Sequence, residues 1–347
     1  MLLHFSETKV NQRYARIAVV IPCYRVERHI ASVIRSIPSM VHHIICVNDA
    51  SPDATVERIR EVDDPRVIIL SHSTNQGVGG AMVSGYRSAM ELDADIVVKM
   101  DGDDQMDSKY LFDLICPLLL GEADYSKGNR WENGEELLSM PALRRTGNLG
   151  LSFLTKLVSG NWRLFDPCNG YTAIRTLALR KMNLNKLSKD YYFETSMLVE
   201  LSILRGVVKD VAIPARYGDE TSSLRIGKVL RRFPPLLMKS LARRVWQQYF
   251  IRDFVPASLF LLAGTLLSSG GLLFGMCAWW LSYWKGVQTP TGTVMLAAVP
   301  LLMGYQLLMQ AMVLDIGNQP TSALCSNAAL QLSAEFDVVD SRLSEAA

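Results

Sequence analysis

Two long uncharged stretches in the last third of the chain most restrict its architecture. Residues 254–284 and 291–314 contain no Asp, Glu, Lys or Arg, and a short turn joins them. A helix needs about 20 apolar residues to cross a bilayer. Four aromatic residues gather near the end of the first stretch, as in an interfacial belt: Trp279, Trp280, Tyr283 and Trp284. We therefore predict a transmembrane hairpin, with a buried hairpin of a soluble core as the alternative.

A basic segment precedes the first stretch. Residues 225–252 carry eight Lys or Arg and no Asp or Glu, interleaved with apolar side chains such as Trp246 and Phe250. This pattern is typical of helices that lie in the membrane interface, although an ordinary basic surface helix is the alternative. The positive-inside rule then predicts a protein of the inner, cytoplasmic membrane, with both termini on the cytoplasmic side.

The first two thirds of the chain alternate between short apolar runs and helical patterns. Residues 17–21, 44–47 and 67–70 are typical of buried parallel strands, and a polar loop and a helix follow each of them. Pro22 is expected to end the first strand. The alternation predicts an α/β fold with a doubly wound, mainly parallel sheet. The net charge is only +2, which gives no signature of nucleic-acid binding.

The next apolar run ends in an acidic turn with the sequence DGDDQ. Carboxylates this close repel one another unless a cation lies among them, and Gly102 permits a tight turn. Hard oxygen ligands suit Mg²⁺ or Mn²⁺, with the remaining positions filled by water and substrate phosphates. Because ligands bind at the carboxyl ends of strands in such sheets, we predict a metal at this turn, where Asp101 and Asp103 can converge. A solvated acidic loop is the alternative.

Two further loops carry candidate binding groups. The glycine-rich loop at residues 75–81 opens a helix, and Gly77 there either lies near a phosphate or sugar or serves packing alone. A basic loop contains Arg130, whose guanidinium suits bidentate binding of a diphosphate, with a surface arginine as the alternative. A nucleotide that lies across the strand ends, with a metal under its phosphates, accounts for these loops together.

Five motifs in the first two thirds resemble those of one enzyme family. In chain order they are VVIPCYRVE, VNDASPDAT, NQGVGGA, KMDGDDQ and KGNRW. They resemble family-2 glycosyltransferases, and in particular the polyprenyl-phosphate glycosyltransferases related to dolichol-phosphate mannose synthase and undecaprenyl-phosphate glucosyltransferases. The resemblance implies a GT-A fold, a bound Mg²⁺ or Mn²⁺, and inverting transfer of one hexose from a nucleotide sugar. It also implies self-association into a homo-oligomer.

The resemblance implies roles for individual residues of the donor site. The nucleotide-sugar site would contain Pro22, Tyr24, Glu27, Asp49, Gly77, Asp101 and Arg130. Asp49 would face the base, Asp101 the ribose and diphosphate, and Arg130 the donor phosphates. The metal would be held by Asp103 and Gln105 together with Asp101. Three departures from the family pattern lie here. Tyr24 and Glu27 are separated by two residues rather than one, and in the second motif Asn48 replaces the first Asp and Ala50 replaces the Gly.

The resemblance also implies an acceptor side and a catalytic set. Asp166, Gly170 and Tyr171 match the family's D-x-x-x-G-[FY] turn near the sugar and the acceptor. The acceptor side would contain Arg144, Arg145, Gly170, Tyr171, Ser222 and Arg225, and Arg225 would replace the lysine that the family carries after Ser222. The catalytic residues would be Asp101, Asp103, Arg130 and Asp166.

The acceptor decides which further groups the reaction needs. A polyprenyl phosphate is ionised at neutral pH, so the enzyme would need a metal and cations rather than a strong base. A hydroxyl acceptor, such as a lipid-linked oligosaccharide, would need Asp166 or Glu194 as a base. A non-catalytic nucleotide-sugar-binding module and a nucleotidyltransferase are further alternatives. The favoured prediction is a membrane-anchored transferase of a hexose to a polyprenyl phosphate.

The predicted domain order follows from these segments. The chain would consist of an N-terminal extension (1–16), a catalytic domain (17–224), basic interfacial helices (225–253), two transmembrane helices (within 254–315) and a polar cytoplasmic tail (316–347).

Overall fold

The computed structural model describes residues 15–131, 142–167, 169–214 and 226–324. The chain divides into two compact units. The first unit comprises Met1–Leu237 together with Pro320–Ala347, and the second comprises Met238–Gln319. The predicted domain bounds differ from this division and stay a prediction.

A seven-stranded mixed sheet forms the first unit. Its strands are β1 (Ile17–Cys23), β2 (His43–Asn48), β3 (Val67–Ser71), β4 (Ile96–Lys99), β5 (Tyr125–Asn129), β6 (Thr172–Arg175) and β7 (Val208–Ala212). They lie in the order β3-β2-β1-β4-β6-β5-β7, and β6 alone among them runs antiparallel to its neighbours. The predicted α/β fold with a mainly parallel sheet is confirmed.

Helices cover both faces of the sheet. They are α1 (Ile30–Ser36), α2 (Thr55–Arg60), α3 (Val78–Glu91), α4 (Leu111–Leu119), α5 (Ala142–Ser159), α6 (Thr176–Lys181) and α7 (Phe193–Leu204). Alternate residues of β1 enter two separate cores: Val19 packs in the core under α1 and α4, and Val20 packs in the core under α3 and α7. A strand that is buried on both faces must be apolar at every position, which explains its continuous apolar run.

Pro22 does not end the first strand, contrary to the prediction. The ladder between β1 and β4 ends where Val20 pairs with Lys99, whereas the ladder between β1 and β2 continues until Cys23 pairs with Asn48. Pro22 therefore lies where β1 has a strand neighbour on one side only. Because proline lacks an N–H, it is tolerated in a strand at such an edge-like position.

The second unit contains the two apolar helices. After α8 (Ile226–Trp246) and a π-helix (Gln247–Arg252) come α9 (Pro256–Lys285) and α10 (Thr291–Gly317). Both α9 and α10 are long and apolar enough to cross a membrane. They pack against each other at small residues, since a Cβ on Gly304 would lie 2.5 Å from the backbone nitrogen of Ser268. Their other faces expose large apolar side chains, as a membrane-spanning hairpin would.

A buried polar cluster joins the helix ends within this second unit. The Arg244 guanidinium donates to both carboxylate oxygens of Asp315, at 2.7 and 3.1 Å, and the Tyr249 hydroxyl donates to the same carboxylate. The Ser258 hydroxyl donates to the carbonyl oxygen of Tyr249 at 2.6 Å. A bidentate pair with further hydrogen bonds compensates for burying the two charges. The cluster therefore fixes the π-helix to the adjoining ends of α9 and α10.

Candidate active site

Three polar loops meet at the carboxyl ends of β1, β2 and β4. The Arg25 N–H donates to the Ser51 hydroxyl at 2.7 Å, which joins the first loop to the second. A Cβ on Gly102 would lie 3.3 Å from the Val26 side chain, so the acidic loop packs beside the first loop. The sheet thus brings together the loops that the sequence predicts to share one edge.

The first two loops are held together by carboxylates. Glu27 accepts a hydrogen bond from the Ala54 N–H at 3.0 Å, and Asp53 accepts from the Glu27 N–H at 3.3 Å. Although partial burial opposes the shift, hydrogen bonds from Ser51 and Thr55 lower the pKa of Asp53. Glu27 therefore organises the loops. Its predicted contact with a nucleotide stays a prediction, as do those of Pro22 and of Tyr24, which is 43% exposed.

The glycine-rich loop binds a carboxylate of this protein. Asp49 is buried, and its two oxygens accept hydrogen bonds from the N–H groups of Gln76 and Gly77, each at 2.8 Å. His72 Nδ1 lies 2.7 Å from the same carboxylate. Gly77 has φ +82°, and a Cβ there would lie 2.3 Å from the Lys189 carbonyl oxygen. Of the two roles left open for Gly77, the structure favours packing.

These contacts involve two residues that are predicted to belong to the donor site. Asp49 is predicted to face a base, and Gly77 is predicted to lie beside the nucleotide. In the structure the Asp49 carboxylate and the Gly77 N–H are bonded to each other. Both residues therefore attach the start of α3 to the end of β2, and their predicted donor-site roles stay predictions.

Lys99, which the sequence analysis does not single out, lies at the centre of the site. Its ammonium is 2.7 Å from Asp101 Oδ1, 3.5 Å from Glu194 Oε1 and 3.2 Å from the Gly170 carbonyl oxygen. Burial alone would lower the pKa of Lys99, but the carboxylates of Asp101 and Glu194 raise it above its usual value. Lys99 is therefore a buried cation. A lone lysine at the end of an apolar strand was the one signal in the sequence that could have revealed it.

The remaining acidic residues of the turn lie outside this buried pair. Asp103 accepts a hydrogen bond from the Gln105 N–H at 3.1 Å, and Asp104 has φ +63°. Within the described ranges, no group of three His, Cys, Asp or Glu side chains could hold a metal ion. Because Mg²⁺ is commonly held by one or two carboxylates with phosphates and water, Asp103 and Gln105 still fit a metal that the substrate completes. Asp101, the predicted third ligand, is paired with Lys99, and its role at the metal stays a prediction.

Arg130 and Asp166 form one unit. Arg130 donates through Nε to Asp166 Oδ2 at 2.7 Å and through a terminal nitrogen to Oδ1 at 3.2 Å. Asp166 is fully buried, whereas the Arg130 side chain is 37% exposed. The carboxylate therefore orients the guanidinium at the end of β5. The structure brings these two predicted catalytic residues into direct contact.

The turn that follows Asp166 leads into β6 and closes the site. A Cβ on Gly170 would lie 2.7 Å from Lys99 Nζ and 3.0 Å from Asp101 Oδ2, so a larger residue there would displace the ends of these two side chains. Tyr171 is 1% exposed, and burial raises the pKa of its hydroxyl, which donates to the Asp107 carbonyl oxygen at 3.4 Å. Tyr171 is therefore a core residue, and its predicted place on the acceptor side stays a prediction.

The other predicted acceptor residues are only partly described. Arg144 and Arg145 lie on α5, where the Arg145 side chain is half-buried. Ser222 and Arg225 lie outside the described residues. All four acceptor roles stay predictions.

Asp210 on β7 is a second residue that the sequence analysis missed. It accepts a hydrogen bond from the Phe165 N–H, next to Asp166. Burial raises the pKa of Asp210 from 3.8 to about 6, and the nearby Asp166 adds to the shift, while the Phe165 N–H and Lys127 oppose it. Because the folded-state pKa is raised, folding favours the protonated form. Stability should therefore fall as the pH rises through this range.

We predict that Asp210→Asn stabilises the protein near neutral pH by up to about 3 kcal/mol, since a shift of one pKa unit corresponds to about 1.4 kcal/mol. The gain should disappear below about pH 4, where the wild-type carboxyl is protonated. Unfolding midpoints of the detergent-solubilised protein against pH would measure the difference. Asp113→Asn, at an exposed position, is the matched control and should show no such gain. A gain of equal size at every pH would contradict the prediction.

Comparison with known proteins matches residues 18–182 to glycosyl transferase family 2. The UDP-N-acetylglucosamine–dolichyl-phosphate N-acetylglucosaminyltransferase of Methanococcus voltae is 32% identical over 190 residues, which are 50% of this chain and 75% of that protein. The undecaprenyl-phosphate mannosyltransferase of Micrococcus luteus is 29% identical over 203 residues, which are 57% of this chain and 82% of that protein.

One solved structure is similar at a lower sequence identity. Glucosyl-3-phosphoglycerate synthase from Mycobacterium tuberculosis, solved with Mn²⁺, uridine diphosphate and phosphoglyceric acid, is 22% identical with a TM-score of 0.49. The match covers 66% of this chain and 78% of that chain. The sequence relatives carry the assignment: this chain belongs to glycosyl transferase family 2 and resembles the members of that family named for polyprenyl phosphates.

Proposed function

We propose that this protein is an inverting glycosyltransferase that moves a single hexose from a UDP- or GDP-linked sugar to a polyprenyl phosphate. The observation that best supports this proposal is the site at the strand ends. There the Asp101–Gln105 turn lies beside the Lys99 cluster, in which Lys99 contacts Asp101, Gly170 and Glu194. The same chain also has two helices long enough to cross a membrane. The relatives named above act on dolichyl or undecaprenyl phosphates, which supports this class of acceptor.

The proposal includes the organisation of the chain in the membrane. Residues 17–224 would form the catalytic domain, 225–253 would lie in the interface, and α9 and α10 would span the bilayer. The basic residues before α9 support a cytoplasmic catalytic domain, because positively charged segments remain on that side. The tail would lie there too, and the protein would self-associate.

A divalent metal, Mg²⁺ or Mn²⁺, would be held by Asp103 and Gln105 at the acidic turn. Bound there, it would neutralise charge on the departing nucleoside diphosphate. The residues of the chain would do the rest. Asp101 would contact the ribose and diphosphate, and Arg130, oriented by Asp166, would hold the donor phosphates.

The state of the two candidate bases favours a phosphate acceptor over a hydroxyl acceptor. Asp166 is fully buried and accepts both hydrogen bonds of the Arg130 fork. Glu194 lies 3.5 Å from the buried Lys99 ammonium. Both carboxylates are therefore already engaged by cations of the protein, and neither is positioned as an unengaged base. An acceptor phosphate is ionised already and needs neither residue as a base.

We predict that membranes containing this protein, supplied with Mg²⁺ or Mn²⁺ and a labelled nucleotide sugar, form a labelled lipid. Because a sugar linked through phosphate is a glycosyl phosphate, mild acid should release the label. The measurement is a panel of UDP- and GDP-linked hexoses and N-acetylhexosamines, followed by solvent extraction before and after acid. Membranes without the protein are the control.

Two results would contradict this proposal in different ways. Label in an acid-stable lipid or a larger glycan would indicate a hydroxyl acceptor and would return Asp166 and Glu194 to consideration as bases. No label with any donor of the panel would favour a binding module without transferase activity.

A further inference from the structure

Lys99 places a fixed positive charge inside the acidic turn. Its ammonium has three N–H donors, and three acceptors surround it: Asp101 at 2.7 Å, the Gly170 carbonyl at 3.2 Å and Glu194 at 3.5 Å. The side chain is only 2% exposed. Unlike a surface lysine, it is therefore held beside Asp101 by the packing around it.

The partners of Lys99 come from three separate segments of the chain. Asp101 follows β4, Gly170 lies in the turn before β6, and Glu194 stands in the first turn of α7. Gly170 also packs against the second oxygen of Asp101, since a Cβ there would lie 3.0 Å from Oδ2. The Asp101 carboxylate is thus enclosed by an ammonium on one side and by backbone on another.

A cation beside a carboxylate weakens its attraction for a second cation. For protons, an opposite charge within about 4–6 Å changes the affinity of a carboxylate by about 1–3 log units. A divalent ion carries more charge and should be affected at least as strongly. With Asp101 paired to Lys99, the proposed metal site keeps the Asp103 carboxylate and the Gln105 amide, and a site with few anionic ligands binds Mg²⁺ or Mn²⁺ weakly.

We propose that Lys99 is a built-in counter-ion of Asp101 that makes metal binding at the acidic turn depend on the nucleotide diphosphate. This inference rests on the proposed nucleotide-sugar site. Lys99 acts through Asp101, so it is a positioning residue. The free protein holds the metal weakly, and the diphosphate supplies the missing negative ligands. Donor and metal therefore bind together, and the metal does not occupy the turn alone.

The test compares Mn²⁺ binding by the full-length, detergent-solubilised protein and its variants, measured as loss of the free Mn²⁺ spin-resonance signal. Without nucleotide, Lys99→Met should bind Mn²⁺ at least about tenfold more tightly than the wild type, because Asp101 is released as a ligand. Lys99→Arg keeps a cation and should bind as the wild type does. Adding UDP or GDP should strengthen binding to the wild type much more than to Lys99→Met.

Two controls connect the effect to this site. Lys109 is exposed and pairs with Asp107 at 3.0 Å, so Lys109→Met removes a lysine–aspartate pair outside the buried cluster and should leave Mn²⁺ affinity unchanged. Adding Asp103→Ala to Lys99→Met should abolish the gained affinity. Lys99→Gln is the second test variant. It keeps hydrogen-bond donors toward Gly170 and Asp101. It takes the place of Lys99→Met if thermal unfolding shows that Lys99→Met does not fold.

Equal Mn²⁺ affinity of the wild type and both neutral variants without nucleotide would overturn the inference. Tight Mn²⁺ binding by the wild-type protein in the absence of nucleotide would also overturn the inference. Because the readout is metal binding, it is independent of sugar transfer. A protein that shows the tenfold difference but forms no labelled lipid would overturn the proposed reaction and retain the role of Lys99 in metal binding.

Discussion

Replacing Asp103 by alanine should reduce sugar transfer by about 10²–10³-fold or more, the loss typical of removing one preorganised electrostatic group at a reacting centre. Asp103 does not pair with Lys99, and it is the carboxylate to which the proposed mechanism assigns the metal. Initial rates of lipid labelling over a range of Mn²⁺ concentrations would measure the loss.

The control for this prediction is its neighbour in the same turn. Asp104 has φ +63°, a left-handed conformation that asparagine adopts readily, so Asp104→Asn removes a charge without straining the backbone. This variant should retain most of the activity. Because Asp103 is partly exposed and outside the core, Asp103→Ala should unfold at the same temperature as the wild type. Undiminished transfer by Asp103→Ala would contradict the proposal that this turn binds the metal.

Replacing Arg130 by alanine should affect both activity and stability. It leaves the fully buried Asp166 carboxylate without its bidentate partner. Removing one member of a buried pair costs about 3–5 kcal/mol, and since Arg130 is about a third exposed we expect about 2–3 kcal/mol. Transfer should also fall by about 10²-fold or more, because no guanidinium remains for the donor phosphates. Unfolding and initial-rate measurements would record the two effects.

A double variant separates these two effects. In Arg130→Ala/Asp166→Asn the buried charge is gone, so stability should recover toward that of Asp166→Asn alone. Transfer should remain as low as in Arg130→Ala, because the phosphate-binding group is still missing. A double variant that regained both stability and transfer would show that Arg130 serves the fold alone.

The parts of this protein that could be predicted from the sequence are encoded locally. The apolar runs of β1, β2 and β4, the DGDDQ turn and the two uncharged stretches each lie within one short segment. Period and composition therefore predicted the α/β fold, the edge that carries the loops and the membrane-length helices. Even the error at Pro22 is informative, because the continuation of β1 depends on where its neighbour β4 ends.

The partner of each charged group was decided by the tertiary structure. Lys99 meets Glu194 from 95 positions away, Arg130 meets Asp166 from 36, and Asp49 meets Gly77 from 28. No local pattern encodes such pairings, because they depend on how the strands are ordered and on which side chains burial places together. For the same reason, the burial of Tyr171 could not be anticipated. The sequence by itself therefore determined which chemical groups the loops carry, whereas the packed sheet decided which of them are bound to one another.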